Sequence, residues 1–284
     1  MNYQHQLDNV IEYIGKHFDE PLTLTQLSDV ACFSKYHFHR LFTAYTGMSL
    51  QQYIRWLRLK RAAHQLIVNK DTPIIDIAVS AGFESHEAFT RAFKQACQLN
   101  PSEFRSRSSF AAWATPPYCL PKQQGEIMMN VTIKEQPERR LAVLEHRGNP
   151  EKFGETVNAL TTWAKAQTID LKPKPGEAFG FAYDDPKTTE PEAFRFDLGI
   201  TIPKQLKLEE GDVIEKYLPA GRYATVMHKG SRDTIDEIVY GLFRDWLPDS
   251  GEELGDLPCL FVYYNFEHEV ADTELLTECW LYLK

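Results

Sequence analysis

One stretch of the chain carries the side chains needed to hold a polyanion. Residues 34–61 contain six basic residues and no aspartate or glutamate, although the whole chain has a formal net charge of −9. Lysine and arginine neutralise phosphates, and arginine can donate two hydrogen bonds to one guanine in the major groove. This composition predicts a contact with nucleic acid. For a charge run taken alone, a solvated cationic face is the alternative.

The charge of the two parts of the chain restricts where that contact can lie. Residues 1–110 hold 12 basic and 10 acidic residues, whereas residues 111–284 hold 19 and 30. Phosphate would repel the second part, so any contact with nucleic acid is expected in the first.

A candidate reading helix runs from Ser34 to Tyr45, with Ser34 as a suitable N-cap. Apolar residues at positions i, i+3, i+4 and i+7 predict one buried stripe: Phe38, Leu41, Phe42 and Tyr45. The residues between them are predicted to face outward and to contact base edges or phosphates: Lys35, Tyr36, His39, Arg40 and Thr43. Arg40 is the candidate for a bidentate contact with guanine.

The same pattern returns about 51 residues later, in residues 84–98. Phe89 and Phe93 are predicted to face inward. The outward positions of this second reader are Ser85, His86, Glu87, Thr90, Arg91 and Lys94. Glu87 can accept a hydrogen bond from cytosine but repels phosphate, so we expect this half to contribute less affinity.

Helices are also predicted before and between the two readers. Short apolar helices precede each reader, at residues 23–31 and 74–82, which gives two helix–turn–helix motifs. Residues 50–68 predict a connecting helix of about 30 Å, at about 1.5 Å per residue. Major grooves on one face of DNA repeat about every 34 Å. The predicted N-terminal fold is therefore an all-α domain whose two readers are separated by a stiff spacer.

Residues 5–106 resemble the AraC/XylS-type DNA-binding domain. The resemblance rests on SxxHxxRLF, GMSLxxYIxxxRLxRA, IAxxxGFxSxxxFxRAFK and the closing PSEFR. It implies a sequence-specific transcription regulator that binds double-stranded DNA. Gln98 stands where this family often has glycine, as at Gly47 of the first repeat, so we expect the second helix end to be capped differently.

The acidic part of the chain contains a carboxylate in an unusual setting, in the segment TECWLYL. Side chains alternate along a strand, so Glu278 is predicted to share its face with three apolar or aromatic residues: Leu276, Trp280 and Tyr282. An acid on such a face costs free energy unless it is paired or functional. Glu278 is therefore the main candidate for a binding role in this part.

Two related segments surround that carboxylate. RRLAVLEHRG (139–148) aligns with GRYATVMHKG (221–230) at an offset of 82, and FDLGITIP (196–203) resembles TECWLYLK (277–284) at an offset of 81. Each copy has the pattern strand, strand, helix, strand, strand. The two copies together predict an α+β domain with one antiparallel sheet assembly and helices on one face.

From about Met128 to Lys284 the chain resembles the GyrI-like small-molecule-binding domain, in the domain order of the Rob regulator. The resemblance rests on the repeat layout, on PxGxYxxxxHxG (219–230) and on the acid of the last strand. The chain has Leu-Tyr where the family usually has Ile-Pro in that strand. The resemblance implies a ligand between the repeats, with Glu278 as its counter-ion and Asp197 as the repeat partner of Glu278.

A carboxylate in an aromatic pocket attracts an amphipathic cation by charge and by cation–π contacts. The candidate walls of such a pocket are Phe181, Tyr183, Tyr223, Phe261, Tyr263, Trp280 and Trp163. Strand aromatics are most often core residues, so each wall has a purely structural alternative.

Two alternatives remain open for the acidic part. It could be a docking module for a protein such as RNA polymerase, in which case the space around Glu278 would be filled. It could also be a hydrolase that uses Glu278 as an acid or base. The sequence contains no G-x-S-x-G, no H-E-x-x-H and no phosphate-binding glycine loop, so an enzyme, a cofactor and a metal site are not expected.

The predicted boundaries are residues 1–108 for the DNA-binding domain, 109–126 for a linker and 127–284 for the effector-binding domain. The five cysteines stand singly and favour free thiols in a reducing cytoplasm. Two readers in one chain favour a monomer. The sequence does not identify the operator, the effector or whether the regulator activates or represses.

Overall fold

The computed structural model describes residues 3–107, 129–169, 177–187 and 189–284. The described chain forms two compact units, one on each side of residues 108–128. The predicted linker, residues 109–126, lies outside the described residues. None of the described helices combines the length and the apolar character needed to cross a lipid bilayer.

The N-terminal unit is entirely helical within residues 3–107, as predicted. Its helices are α1 (Tyr3–His17), α2 (Leu24–Ala31), α3 (Lys35–Thr46), α4 (Leu50–Val68), α5 (Ile74–Ser80), α6 (His86–Cys97) and α7 (Pro101–Arg107). Helices α2 and α3 form the first helix–turn–helix motif, α5 and α6 form the second, and α4 connects them.

Serine hydroxyls cap the starts of α3, α4 and α6, and the predicted N-cap Ser34 is one of them. Ser34 Oγ accepts a hydrogen bond from the His37 amide at 3.4 Å, and Ser85 Oγ accepts one from the Ala88 amide at 3.1 Å. Ser49 begins α4 with a capping box, in which its hydroxyl and the side chain of Gln52 satisfy each other's backbone amides. These caps satisfy amides that have no partner within a helix, so they fix where each reader begins.

The core of the N-terminal unit uses the predicted aromatic pairs. Phe38 and Phe42 of α3 are fully buried, as are Phe89 and Phe93 of α6. Tyr45 departs from the prediction, because its side chain is 41% exposed. Its hydroxyl donates a 2.8 Å hydrogen bond to Asp8 of α1, so the ring spans the surface between the two helices.

The C-terminal unit combines eight strands with helices, all counted within the described residues. The strands are β1 (Thr132–Gln136), β2 (Arg139–Arg147), β3 (Ala178–Ala182), β4 (Arg195–Thr201), β5 (Val213–Leu218), β6 (Gly221–Lys229), β7 (Cys259–Tyr263) and β8 (Leu276–Tyr282). The helices are α8 (Phe153–Ala166), α9 (Ile235–Gly241) and α10 (Leu247–Ser250), with a π-helical turn, Leu242–Trp246, between the last two.

All eight strands form one antiparallel sheet in the order β1-β6-β8-β7-β3-β4-β2-β5. The repeats meet at β3 and β7. Each repeat also sends its first strand to the far side of the other repeat, since β1 pairs with β6 and β5 pairs with β2. This exchange means that each half of the sheet contains residues from both repeats.

The register of the strands separates the residues of the two sheet faces. Val262 lies opposite Glu278, and Leu260 lies opposite Trp280, so these four side chains share one face. Helix α8 packs on the other face, where Leu160 joins Phe196 and Tyr263 in one cluster, and α9 contacts β6. The predicted α+β domain, with helices packed against an antiparallel sheet, is confirmed.

Candidate DNA-binding surface and effector site

The first reader exposes fewer side chains than its sequence predicted. Lys35 is exposed, and Tyr36 and His39 are half-buried. Arg40, 4% exposed, and Thr43 are buried, so the prediction that both face outward is wrong. The reason is that α3 contacts α1, α2 and α4 and is therefore covered on more sides than one apolar stripe.

Most of the basic window also has a structural role. Arg58 Nε donates a 2.9 Å hydrogen bond to the carbonyl of Phe18, and Arg61 pairs with Asp19. Two further cations of α4 lie over aromatic rings, at 5.4 Å and 5.0 Å from the ring centroids: Arg55 over Phe83 and Lys60 over Trp56. Three of the six basic residues therefore tie α4 to the rest of its domain, and Lys60 contacts a ring of α4 itself, which accounts for part of the charge surplus.

The second reader presents its predicted residues. The exposed side chains of α6 include His86, Glu87, Arg91 and Lys94, while Ser85 and Thr90 are half-buried. Hydrogen bonds from its own backbone amide and from Ser85 lower the pKa of Glu87, so this side chain is an ionised acceptor. Helix α4, with 19 residues, spans roughly 28 Å between the two motifs.

In the C-terminal unit, Glu278 is buried but fully hydrogen-bonded. Its side chain is 3% exposed, and Lys134 Nζ lies 2.6 Å from its Oε1. Its Oε2 accepts two hydrogen bonds of 2.8 Å, one from the Tyr264 hydroxyl and one from Trp280 Nε1. The carboxylate is thus paired with one cation and oriented by neutral donors, Tyr264 and Trp280 among them.

Three elements bring these donors together. Trp280 follows Glu278 by two residues on β8 and so shares its face. Tyr264 follows β7, the neighbour of β8 on one side. Lys134 lies on the edge strand β1, which reaches Glu278 across β6.

The environment of Glu278 keeps it ionised. Burial works to raise the pKa of this carboxyl, but hydrogen bonds from Lys134, Trp280, Tyr264 and Thr225 outweigh burial and lower it. Burial and the hydrogen bond to Glu278 raise the pKa of Tyr264 to about 12, so this hydroxyl remains a donor at neutral pH.

A cavity of about 400 Å³ opens beside Glu278. Its walls combine polar and apolar side chains, and it is lined by Met129, Asn130, Thr132, Lys134, Thr225, Val226, Met227, Ile238 and Glu278. The space around the carboxylate is therefore open, which is the arrangement that separates a ligand-binding domain from a filled docking module.

The predicted aromatic walls divide between the two faces of the sheet. Phe181, Tyr183, Tyr223 and Trp280 lie on the Glu278 face, where they pack in one core cluster and are not among the residues that line the cavity. Phe261, Tyr263 and Trp163 lie on the helix-covered face, so their prediction as walls beside Glu278 is wrong. The cause is the register, since Phe261 lies opposite Cys279 rather than opposite Glu278 or Trp280.

Asp197, the repeat partner of Glu278, has a closed environment. Its side chain is 0% exposed and accepts hydrogen bonds from Arg147 at 2.6 Å and from Lys216 at 2.7 Å. Burial and the charge of Asp197 raise the pKa of Tyr183, which hydrogen-bonds to the same carboxylate. Two cations and a tyrosine thus enclose this acid.

The sequence interpretation missed Lys134 and Tyr264, the partners of Glu278, together with the other residues that line the cavity. The repeat contains the signal for both, because Lys134 precedes Lys216 by 82 residues and Tyr183 precedes Tyr264 by 81. Each repeat therefore supplies one acid and one tyrosine to its own half of the sheet, and one lysine to the other half.

Comparison with known proteins gives matches to both parts of the chain. Residues 129–284 match the family of the GyrI-like small molecule binding domain, and residues 27–107 match a helix-turn-helix domain family. The probable transcriptional regulator YgiV of Escherichia coli (strain K12) is 36% identical over 156 residues, which are 55% of this chain and 96% of that protein.

Two further relatives match at similar identity. The regulatory protein SoxS of Salmonella typhimurium is 35% identical over 107 residues, which are 38% of this chain and 99% of that protein. The transcriptional regulator Rob of the same organism is 33% identical over 137 residues, which are 48% of this chain and 44% of that protein.

Proposed function

Because this chain belongs to the GyrI-like small-molecule-binding family and is a transcription regulator with an AraC-type DNA-binding domain, we propose that its effector is an amphipathic organic cation held by Glu278. The observation that carries the proposal is the buried, ionised carboxylate at the wall of a 400 Å³ cavity.

The composition of the cavity supports this choice of effector. A carboxylate in a partly dry site attracts a positive charge more strongly than it would in water. Met129, Met227 and Ile238 offer apolar surface to the rest of such a molecule, and methionine adapts to ligands of different shape. Pockets for small organic molecules are typically about 300–1,000 Å³, and this cavity lies within that range.

The same geometry favours binding over catalysis. A general base for reactions at neutral pH needs a pKa near the working pH. The pKa of Glu278 is shifted the other way, below its ordinary value, and both carboxylate oxygens are engaged. We infer that the domain is a sensor rather than a hydrolase.

For the DNA complex, we propose contacts from the accessible residues of both readers: Lys35, Tyr36, His39, His86, Glu87, Thr90, Arg91 and Lys94. Lys35, Arg91 and Lys94 supply charge for phosphates, and the others supply polar groups for base edges. We further propose that the regulator acts in the cytoplasm as a monomer, and that the effector changes its DNA binding or its contact with RNA polymerase.

Calorimetry with a quaternary ammonium tests the effector proposal. Benzyltrimethylammonium has the proposed charge and no hydrogen-bond donor, and an uncharged analogue of the same shape serves as reference. We expect the cation to bind the full chain, and Glu278→Gln to weaken its binding at least tenfold. Glu135→Gln, an equal change of charge at an exposed β1 position outside the cavity lining, is the matched control. Equal affinity of the wild type for both probes would contradict the proposal.

A further inference from the structure

The two repeats build two versions of one acid–tyrosine–lysine site. In one, Lys216 lies 2.7 Å from Asp197, and in the other, Lys134 lies 2.6 Å from Glu278. The two lysines occupy equivalent positions in the exchanged edge strands β5 and β1. The shared geometry indicates that each lysine neutralises a carboxylate from the other repeat.

The two lysines differ in how firmly they are held at their carboxylates. Lys216 is 26% exposed and also pairs with Glu145, while Arg147 provides Asp197 with a second cation. Lys134 is 43% exposed and lines the cavity. Among the described partners of Glu278, Lys134 is the one that carries a positive charge. Only the second site therefore combines a half-exposed lysine with open space.

The two oxygens of Glu278 are held in different ways. Oε2 accepts hydrogen bonds from Tyr264 and Trp280, whose rings are bulky and anchored beside the sheet. Oε1 accepts its hydrogen bond from the end of a flexible lysine side chain. Rotation of that side chain would uncover Oε1 and leave the rest of the site unchanged.

We propose that Lys134 is a tethered competitor of the effector, whose ammonium group neutralises Glu278 until a cationic ligand displaces it. This inference rests on the proposed function. Its physical basis is that a buried carboxylate without a cation is costly, whereas exchanging one cation for another keeps the site neutral throughout. Lys134 therefore weakens the binding of cations, and a neutral molecule gains nothing from displacing it.

Substitution of Lys134 separates competition from a supporting role. Lys134→Met retains the length of the side chain and removes its charge, whereas Lys134→Arg retains a cation. Binding of benzyltrimethylammonium to the full chain is measured at about pH 8, well above the ordinary range of a carboxyl pKa, to favour the ionised form of Glu278 in every Lys134 variant. We expect roughly tenfold tighter binding to Lys134→Met, the effect of a half-buried ion pair. Lys134→Arg should show no gain.

Lys204→Met is the control for the loss of a positive charge elsewhere, because Lys204 is an exposed residue of the same domain outside the cavity lining. A thermal unfolding curve of each variant establishes that it is folded, and Lys134→Gln provides a second uncharged variant.

The outcomes distinguish this inference from the proposed function. If the wild type binds the cation, Glu278→Gln loses it and both uncharged Lys134 variants bind no tighter, the competitor role is overturned and the effector class stands. If neither the wild type nor Lys134→Met binds the cation, or Glu278→Gln binds it as well as the wild type does, the proposed function fails and the competitor role fails with it.

Discussion

Gln98 ends helix α6 in the same left-handed backbone conformation that Gly47 adopts at the end of α3. The φ angles are 62° and 74°, and each residue's amide donates a 2.8 Å hydrogen bond to the carbonyl four residues earlier. The expectation of a different cap at Gln98 is therefore wrong. A side chain in this conformation costs free energy that glycine avoids, so the second reader is built with local strain.

Replacing Gln98 with glycine should relieve this strain. We expect Gln98→Gly to raise the free energy of unfolding of the DNA-binding domain by about 0.5–1 kcal/mol, since the side chain is exposed and makes only a long 3.4 Å hydrogen bond to the Gln95 carbonyl among its described contacts. Native-state hydrogen exchange at the amides of α6 in the full chain measures the change. The reciprocal variant Gly47→Gln should lower the protection of α3 by a similar amount, and protection unchanged in both would contradict the strain argument.

The two arginines of the readers should behave differently in DNA binding. Arg91 is exposed, so Arg91→Ala should reduce the slope of log K against log salt by about 1 for double-stranded DNA of random sequence. Arg40 is buried, so Arg40→Ala should instead destabilise the domain by about 1–3 kcal/mol and leave the slope unchanged.

Fluorescence anisotropy across a salt series gives both slopes, and chemical denaturation gives the stabilities. An Arg40→Ala variant that is as stable as the wild type but has a lower salt slope would return Arg40 to the set of DNA contacts.

The helical part of the fold was largely accessible from sequence because each helix carries its own signals. Ser34 and Ser49 mark helix starts by local hydrogen bonding, and the spacing of Phe38 and Phe42 marks a buried side. The burial of Arg40 was not accessible, because it depends on three other helices that cover α3. A helical period gives the apolar side of a helix but not how much of the remainder is covered.

The effector site was less accessible from sequence than the helices were, because it depends on how strands pair. Alternation along β8 placed Glu278 and Trp280 on one face correctly, because that rule acts within a single strand. The wrong placement of Phe261 and Tyr263 came from a relation between strands, since a shift of one residue in register exchanges the faces. Lys134 reaches Glu278 only through the exchange of edge strands, which the sequence shows as a repeat but not as a pairing.

The pairing of Glu278 should make the stability of the C-terminal domain depend on pH. Because its pKa is lower in the folded state than in the unfolded chain, the contribution is complete above the unfolded value of about 4.3 and is lost as the pH falls through the folded value. Wild-type stability should therefore fall more steeply than that of Glu278→Gln between about pH 5 and about pH 2.

Urea unfolding across that range measures both curves, and their difference removes the contribution of the other carboxylates. Parallel curves for the two proteins would show that the hydrogen bonds of Lys134, Trp280 and Tyr264 do not lower the pKa of Glu278.

Filling the cavity should block the effector without disturbing the fold. Met227 lines the cavity and is 43% exposed, so a larger side chain can enter the open space without repacking the core. We expect Met227→Trp to weaken the binding of benzyltrimethylammonium by about tenfold or more, while the melting temperature stays within about 2 °C of the wild type.

Tyr217→Trp, at an exposed position on β5 outside the cavity lining, is the matched control. If Met227→Trp binds the cation as well as that control does, the effector must be held away from this cavity, and Glu278 would then keep its lysine partner for structural reasons alone.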